Sequence, residues 1–216
     1  MASGFPGSID NFTDPLSNSS LSSPSHAGQH ADLNDAVEKI ETYMGLVKVI
    51  PTGATNGTVS ATGTVTVGNA VSSVTVSGAF SALYDNYFVI YTGGASNTAN
   101  IYLQISGATT AYYGAIIYNT PTAPTPTGLG VNNAASWTYV GDATSAGTRL
   151  ACTITAPFLA QNTGIMAHYS GTGTSSAAFG TFTGNLANTS SYTGFVIGPN
   201  AGTLTGGSLR VYGYRN

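Results

Sequence analysis

Charge is what this chain lacks most. Asp, Glu, Lys and Arg make up 6% of its 216 residues, against roughly 25% in an average soluble domain. Solubility then rests on Ser, Thr, Asn and Gly, or the surface is covered in an assembly. No run of Lys or Arg occurs. A phosphate-binding surface needs such residues clustered, so no nucleic-acid partner is expected. The single cysteine, Cys152, rules out an intrachain disulfide and a cysteine zinc site. It alternates with Leu150 and Ile154, which predicts a buried core thiol. No segment approaches the roughly 20 apolar residues of a membrane helix, so no membrane insertion is expected. The N-terminal MASGFPGS has neither the basic nor the apolar region of a secretion signal. Synthesis in a cytoplasm and carriage outward on a particle are the expectation.

The few charges that exist are unevenly placed. Six of the eight carboxylates (Asp10, Asp14, Asp32, Asp35, Glu38 and Glu41) precede residue 45. After Lys48 only Asp85, Asp142, Arg149, Arg210 and Arg215 carry charge. This break sets a domain boundary near residue 50. The reading divides the chain into an extended arm (1–29), a short helix (30–48) and a β domain (49–216).

Within 1–28, Pro6, Pro15 and Pro24 interrupt any helix, and Ser and Asn fill the gaps. Phe5, Ile9, Phe12, Leu16 and Leu21 stud this polar stretch singly. The pattern suits an arm that lays isolated side chains into pockets of a partner. Helical period starts near His30. Leu33, Val37, Ile40, Met44 and Val47 follow 4, 3, 4, 3 spacing, the seam of a heptad. Asp32 near the start suits the helix dipole, and Gly45 offers a stop. So short a helix is marginal alone in water. Its stripe needs cover, from other copies about an axis or from its own β domain.

From residue 58 the period becomes two. TVSATGTVTV reads as one strand, with Val59, Ala61, Gly63, Val65 and Val67 on one face. Ten further candidates follow at 71–77, 87–92, 100–106, 112–118, 136–140, 149–155, 164–169, 177–183, 193–197 and 208–214. Gly, Asn, Ser and Pro clusters separate them, and NTPTAPTPTGLG reads as the longest loop (119–130). The expectation is a mainly β fold, an antiparallel, jelly-roll-like β-sandwich. YFVIY at 87–91 is apolar on both faces, so it belongs at the centre or at a subunit interface.

Residues 4–44, GFPGSIDNFTDPLSNSSLSSPSHAGQHADLNDAVEKIETYM, carry a likeness in order and spacing. FPGSIDNFTDP followed by LSSPSHAGQHADLNDAVEKIE resembles the N-terminal segment of tail-fibre, minor tail and head-fibre proteins of tailed bacteriophages. GTVTVGNAVSSVTVSGAFSALYDNY and SYTGFVIGPNAGTLTGGSLRVYGYRN resemble β domains of the same appendages, less specifically. The resemblance implies a virion structural protein. It implies a homotrimer joined by the 33–47 seam, with residues 1–28 anchored to other phage structural proteins and a β tip facing outward for host-surface adhesion. A capsid or tail decoration protein with no receptor role is the alternative.

Candidate sites are sparse. His26, His30 and Asp32 in HAGQHAD could cap the helix, or form a metal ring if three copies met on an axis. Paired carboxylates could come only from Asp85 and Asp142, and a Ser–His–Asp set would need His168. No catalytic residue, resident metal or cofactor is expected. Tyr112, Tyr113, Tyr118, Trp137 and Tyr139 flank the 119–130 segment. They are candidates for a surface that contacts host glycan, or for core aromatics.

Overall fold

The structure is a computed structural model and describes residues 26–43, 45–97, 100–170 and 178–214. The proposed anchor residues Phe5, Ile9, Phe12, Leu16 and Leu21, and Met44 of the seam, lie outside the described residues. The chain divides into two compact units, with the boundary after Gly45.

The first unit contributes one helix, α1 (His26–Tyr43). It begins four residues before the expected start and ends earlier than expected. Asp32 therefore sits in the second turn, and the first turn holds no acid. Gly45, at φ +58°, takes the left-handed conformation that ends helices. Val47 is not helical. It lies in a strand, so the continuous seam stops before it.

The second unit is all β among its described residues. It opens with β1 (Leu46–Val49), β2 (Gly53–Thr55), β3 (Gly57–Val59), β4 (Val65–Val67), β5 (Val74–Ser77) and β6 (Asn86–Thr92). There follow β7 (Ala95–Ser96), β8 (Asn100–Ile105), β9 (Tyr112–Thr120), β10 (Ala123–Ala134), β11 (Trp137–Thr144) and β12 (Gly147–Thr155). The last are β13 (Thr163–Ser170), β14 (Phe179–Leu186), β15 (Phe195–Pro199), β16 (Leu204–Thr205) and β17 (Ser208–Tyr214). All pairings are antiparallel.

The pairing resolves into two layers. The larger runs β10-β9-β14-β13-β12-β6-β17, with β1 and β4 along the far edge of β17. The smaller runs β11-β8-β15-β5-β2. β11 joins them: Asp142–Thr144 pair with β12, while Trp137–Asp142 peel away to pair with β8. Beyond that corner both edges of β12 are taken, by β13 and β6. This is the sandwich the alternating strands imply.

Alternation decides what is inside. In β6 Tyr87, Val89 and Tyr91 are buried while Phe88 and Ile90 are half-buried. In β8 Ile101, Leu103 and Ile105 are buried. β6 is central, between β12 and β17, which answers why YFVIY is apolar throughout. Phe80 stacks on Phe195 of the smaller layer at 5.6 Å and tilts against Tyr87 of the larger at 4.8 Å.

Two local expectations are corrected. TVSATGTVTV is a hairpin, not one strand. Ser60 N–H donates to Thr64 O at 2.8 Å, and Gly63 turns at φ +75°. The 119–130 segment is mostly strand: β10 pairs with β9 through two register shifts. Pro124 and Pro126 suggested a loop, but β10 is an edge strand, where one side of the backbone needs no partner.

Candidate functional site

The five proposed aromatics separate into three groups. Tyr112 and Trp137 are fully buried and meet edge-to-face at 4.9 Å. The Ile105 N–H donates to the Tyr112 hydroxyl at 2.7 Å, which closes the β8–β9 turn. Burial raises the Tyr112 phenol well above its usual range. Trp137 Nε1–H is shared between Tyr113 O at 3.2 Å and Asn185 O at 3.3 Å. These two rings are bolts between the layers and have no free face for a ligand. Tyr113 is 38% exposed, on the opposite face of β9 from Ile116.

Tyr118 and Tyr139 do come together. With Asn100, Ile116, Leu129 and Ala178 they line a shallow cleft of about 300 Å³, measured out to its open mouth. Ile116 and Tyr118 share one face of β9, and Leu129 stands opposite Ile116 on β10. Tyr139 comes from the other layer. Four steps of β11, from Trp137 to Gly141, span only two steps of β8. That irregularity breaks the alternation: Trp137 and Val140 are buried, and Tyr139 is left half-buried. Simple period two would have put Tyr139 in the core with Trp137. Gly180 clears the floor under Tyr118. A Cβ there would sit 2.6 Å from Tyr118 Cα and 2.8 Å from its Cβ.

The lining offers two phenols, one amide and aliphatic walls, with no charged side chain. Such a set suits a small polyhydroxylated ligand: rings lie against C–H faces, and neutral groups bond hydroxyls. Asn100, Ile116, Leu129 and Ala178 were not in the sequence reading. Asn100 could have been found as the outward first residue of a cleanly alternating strand. Leu129 was hidden by the loop assignment.

The ionisable groups are scattered. Asp142 is fully buried, opposite Asn100 and Arg149 in the register. Asp85 lies just before Asn86, at the other end of β6 from Thr92, which pairs with Arg149. Seven strand positions and a two-strand offset put the two carboxylates about 25 Å apart, beyond the roughly 5–9.5 Å of paired glycosidase carboxylates. His168 is exposed on β13, opposite Ala151 and Thr181. Cys152 is buried and its thiol is pushed up to about 12 by desolvation, which leaves it protonated and unreactive. On α1, His30 is exposed, one turn on from His26. Among the described residues no three His, Cys, Asp or Glu gather to hold a metal ion. No described helix is long and apolar enough to cross a membrane.

No protein-family model matches the chain, and neither does any curated protein or any solved structure.

Proposed function

We propose that the chain is a structural protein of a tailed-bacteriophage particle. In this reading it is a homotrimeric fibre, made in the host cytoplasm and carried on the virion. Residues 1–28 anchor it to other phage proteins, and the β unit projects outward to adhere to host-surface glycan through the Tyr118–Tyr139 cleft. It is not an enzyme and needs no cofactor.

The observation that carries this reading is on α1. Leu33, Val37 and Ile40 recur at 4, 3 spacing and are 53%, 45% and 42% exposed. An 18-residue helix with its apolar stripe in water is marginal. Three copies meeting along that stripe would bury it, as in a coiled coil. The arm–helix–β order supports the same assignment. Light scattering of the purified protein tests it: a trimer mass at micromolar concentration is expected, and a monomer mass overturns the trimer.

The small size of the cleft favours a second reading, a capsid or tail decoration protein without a receptor. Binding of the purified protein to host cells separates the two. Saturable binding that Tyr139→Ala weakens supports adhesion, and no binding supports decoration.

A further inference from the structure

The charges that look isolated in sequence gather on one face of the larger layer. Residues directly opposite in an antiparallel register project from the same face. One row reads Lys48, Tyr212, Phe88, Thr153, Met166. The next reads Arg210, Ile90, Ala151, His168. The third reads Ser208, Thr92, Arg149, Asp142. The buried residues of β6, β12 and β17 (Val89, Cys152 and Val211 among them) point the other way. This face therefore carries every described Lys and Arg of the β unit, together with its one histidine. Strand and row spacings put neighbouring cations about 8–14 Å apart.

No exposed carboxylate stands among them: the one acid in these rows, Asp142 opposite Arg149, is fully buried. Arg149 and Arg210 make no hydrogen bond or ion pair among the described residues, and Lys48 Nζ donates to the neutral Thr64 Oγ1 at 2.8 Å. Of the β unit's two carboxylates, Asp142 faces Arg149 alone and away from solvent, and Asp85 lies in the bend before β6, so Arg210 and Lys48 have no acid opposite them. Between the cations stand half-buried Phe88, Ile90 and Tyr212. A second copy of the same face would bring like charges together, so charge complementarity calls for an acidic partner. Cations this widely spaced suit a polymer with one acid per repeat of several sugars. A nucleic acid, with a phosphate on every nucleotide, calls for a denser cluster.

We propose that this sheet face binds an acidic polysaccharide, with Arg149, Arg210 and Lys48 meeting carboxylates or phosphates and Phe88 and Tyr212 lying against sugar faces. The proposal rests on the adhesive reading but uses a surface other than the cleft, and it names the ligand as anionic.

The test uses the full chain on immobilised gellan, which carries one carboxylate per four sugars, with neutral dextran and polythymidylate in parallel. Retention on gellan is expected at low salt, at least roughly tenfold weaker by 0.5 M salt, because solvent-exposed pairs are screened. Arg149→Gln with Arg210→Gln should abolish it while thermal unfolding stays unchanged. Tyr139→Ala should leave it intact, so failure of the cleft and failure of this face are read separately. Undiminished retention of the double variant, or none of the wild type, overturns the proposal. Stronger retention on polythymidylate assigns the face to nucleic acid instead. A change of oligomeric mass in the double variant assigns it to a subunit interface. Either result also overturns the proposal.

Discussion

Gly184 lies directly opposite Gly114 across β14 and β9, and the two missing side chains make the space that Trp137 and Phe182 fill. A Cβ on Gly184 would stand 2.9 Å from Trp137 Nε1 and 2.5 Å from Tyr113 O. One on Gly114 would stand 2.6 Å from Phe182 Cζ. The indole reaches the Tyr113 and Asn185 carbonyls only because nothing covers them. The glycines, with no side chain to bury, thus set how closely β11 approaches the larger layer.

Gly184→Ala should therefore cost about 1–3 kcal/mol, the usual range for overpacking a tight core. Thermal unfolding should fall by about 2–4 °C for each kcal/mol. Gly130→Ala is the control. Its added Cβ meets nothing nearer than 4.0 Å, so the midpoint should stay within the scatter of a surface substitution. Equal shifts in the two variants would show that Trp137 does not depend on the glycine pair.

The cleft and the core make opposite demands on neighbouring aromatics. Trp137→Ala should destabilise the β unit by about 3–5 kcal/mol, since it empties a fully buried site. Tyr139→Ala should cost far less stability yet weaken retention on a neutral polysaccharide by roughly tenfold, the worth of one aromatic contact. That retention should be insensitive to salt, because no charged group lines the cleft. Salt-dependent loss on the neutral polymer would place the contact elsewhere.

Charge on the helix stripe should dissolve the assembly. Val37→Asp with Ile40→Asp would place carboxylates where the proposed trimer would bury its seam, and unpaired burial there is prohibitive. Light scattering should report a monomer, with the strand signal in circular dichroism retained. A trimer that survives both substitutions would move the interface off α1.

Alkaline pH should destabilise the β unit. Cys152 titrates near 9.0 in the open chain and is pushed up to about 12 when folded. Tyr87, Tyr91 and Tyr112 are raised from 10.0 in the same direction, chiefly by burial. The folded state then holds protons that the unfolded chain releases. Their contribution is fully present below pH 9.0 and is lost as pH rises toward 12. The urea midpoint should be level from pH 7 to about 9 and fall above it. Thiol reagents at pH 8 should label Cys152 only on unfolding. A midpoint that rises above pH 9 would contradict the burial of these groups.

Local pattern carried much of the fold. Period two in NIYLQI or SLRVYGY reports a strand with one dry face, because successive side chains must point to opposite sides. The candidates at 100–106 and 208–214 accordingly stand as β8 and β17. The switch from heptad spacing to alternation located the end of α1 to within a few residues. It misplaced Val47, which fits the seam spacing as well as it fits a strand. Pro124 and Pro126 concealed β10, since whether a proline breaks a strand depends on which edge is paired. That is a property of the sheet, not of the segment.

By itself the amino-acid sequence determined the fold class of this protein: one thiol and so no intrachain disulfide, one short amphipathic helix, then alternating strands. Each of these follows from composition or from a period of a few residues. Only the tertiary structure decided the sites. The irregular pairing of β11 with β8 took Tyr139 away from Trp137 and set it beside Tyr118, some twenty residues earlier in the chain. The register of five antiparallel strands brought Lys48, Arg149, His168 and Arg210 to one face, although no two of them are neighbours in sequence. Long-range register determines which side chains meet, and a one-residue slip would send each of them to the other face.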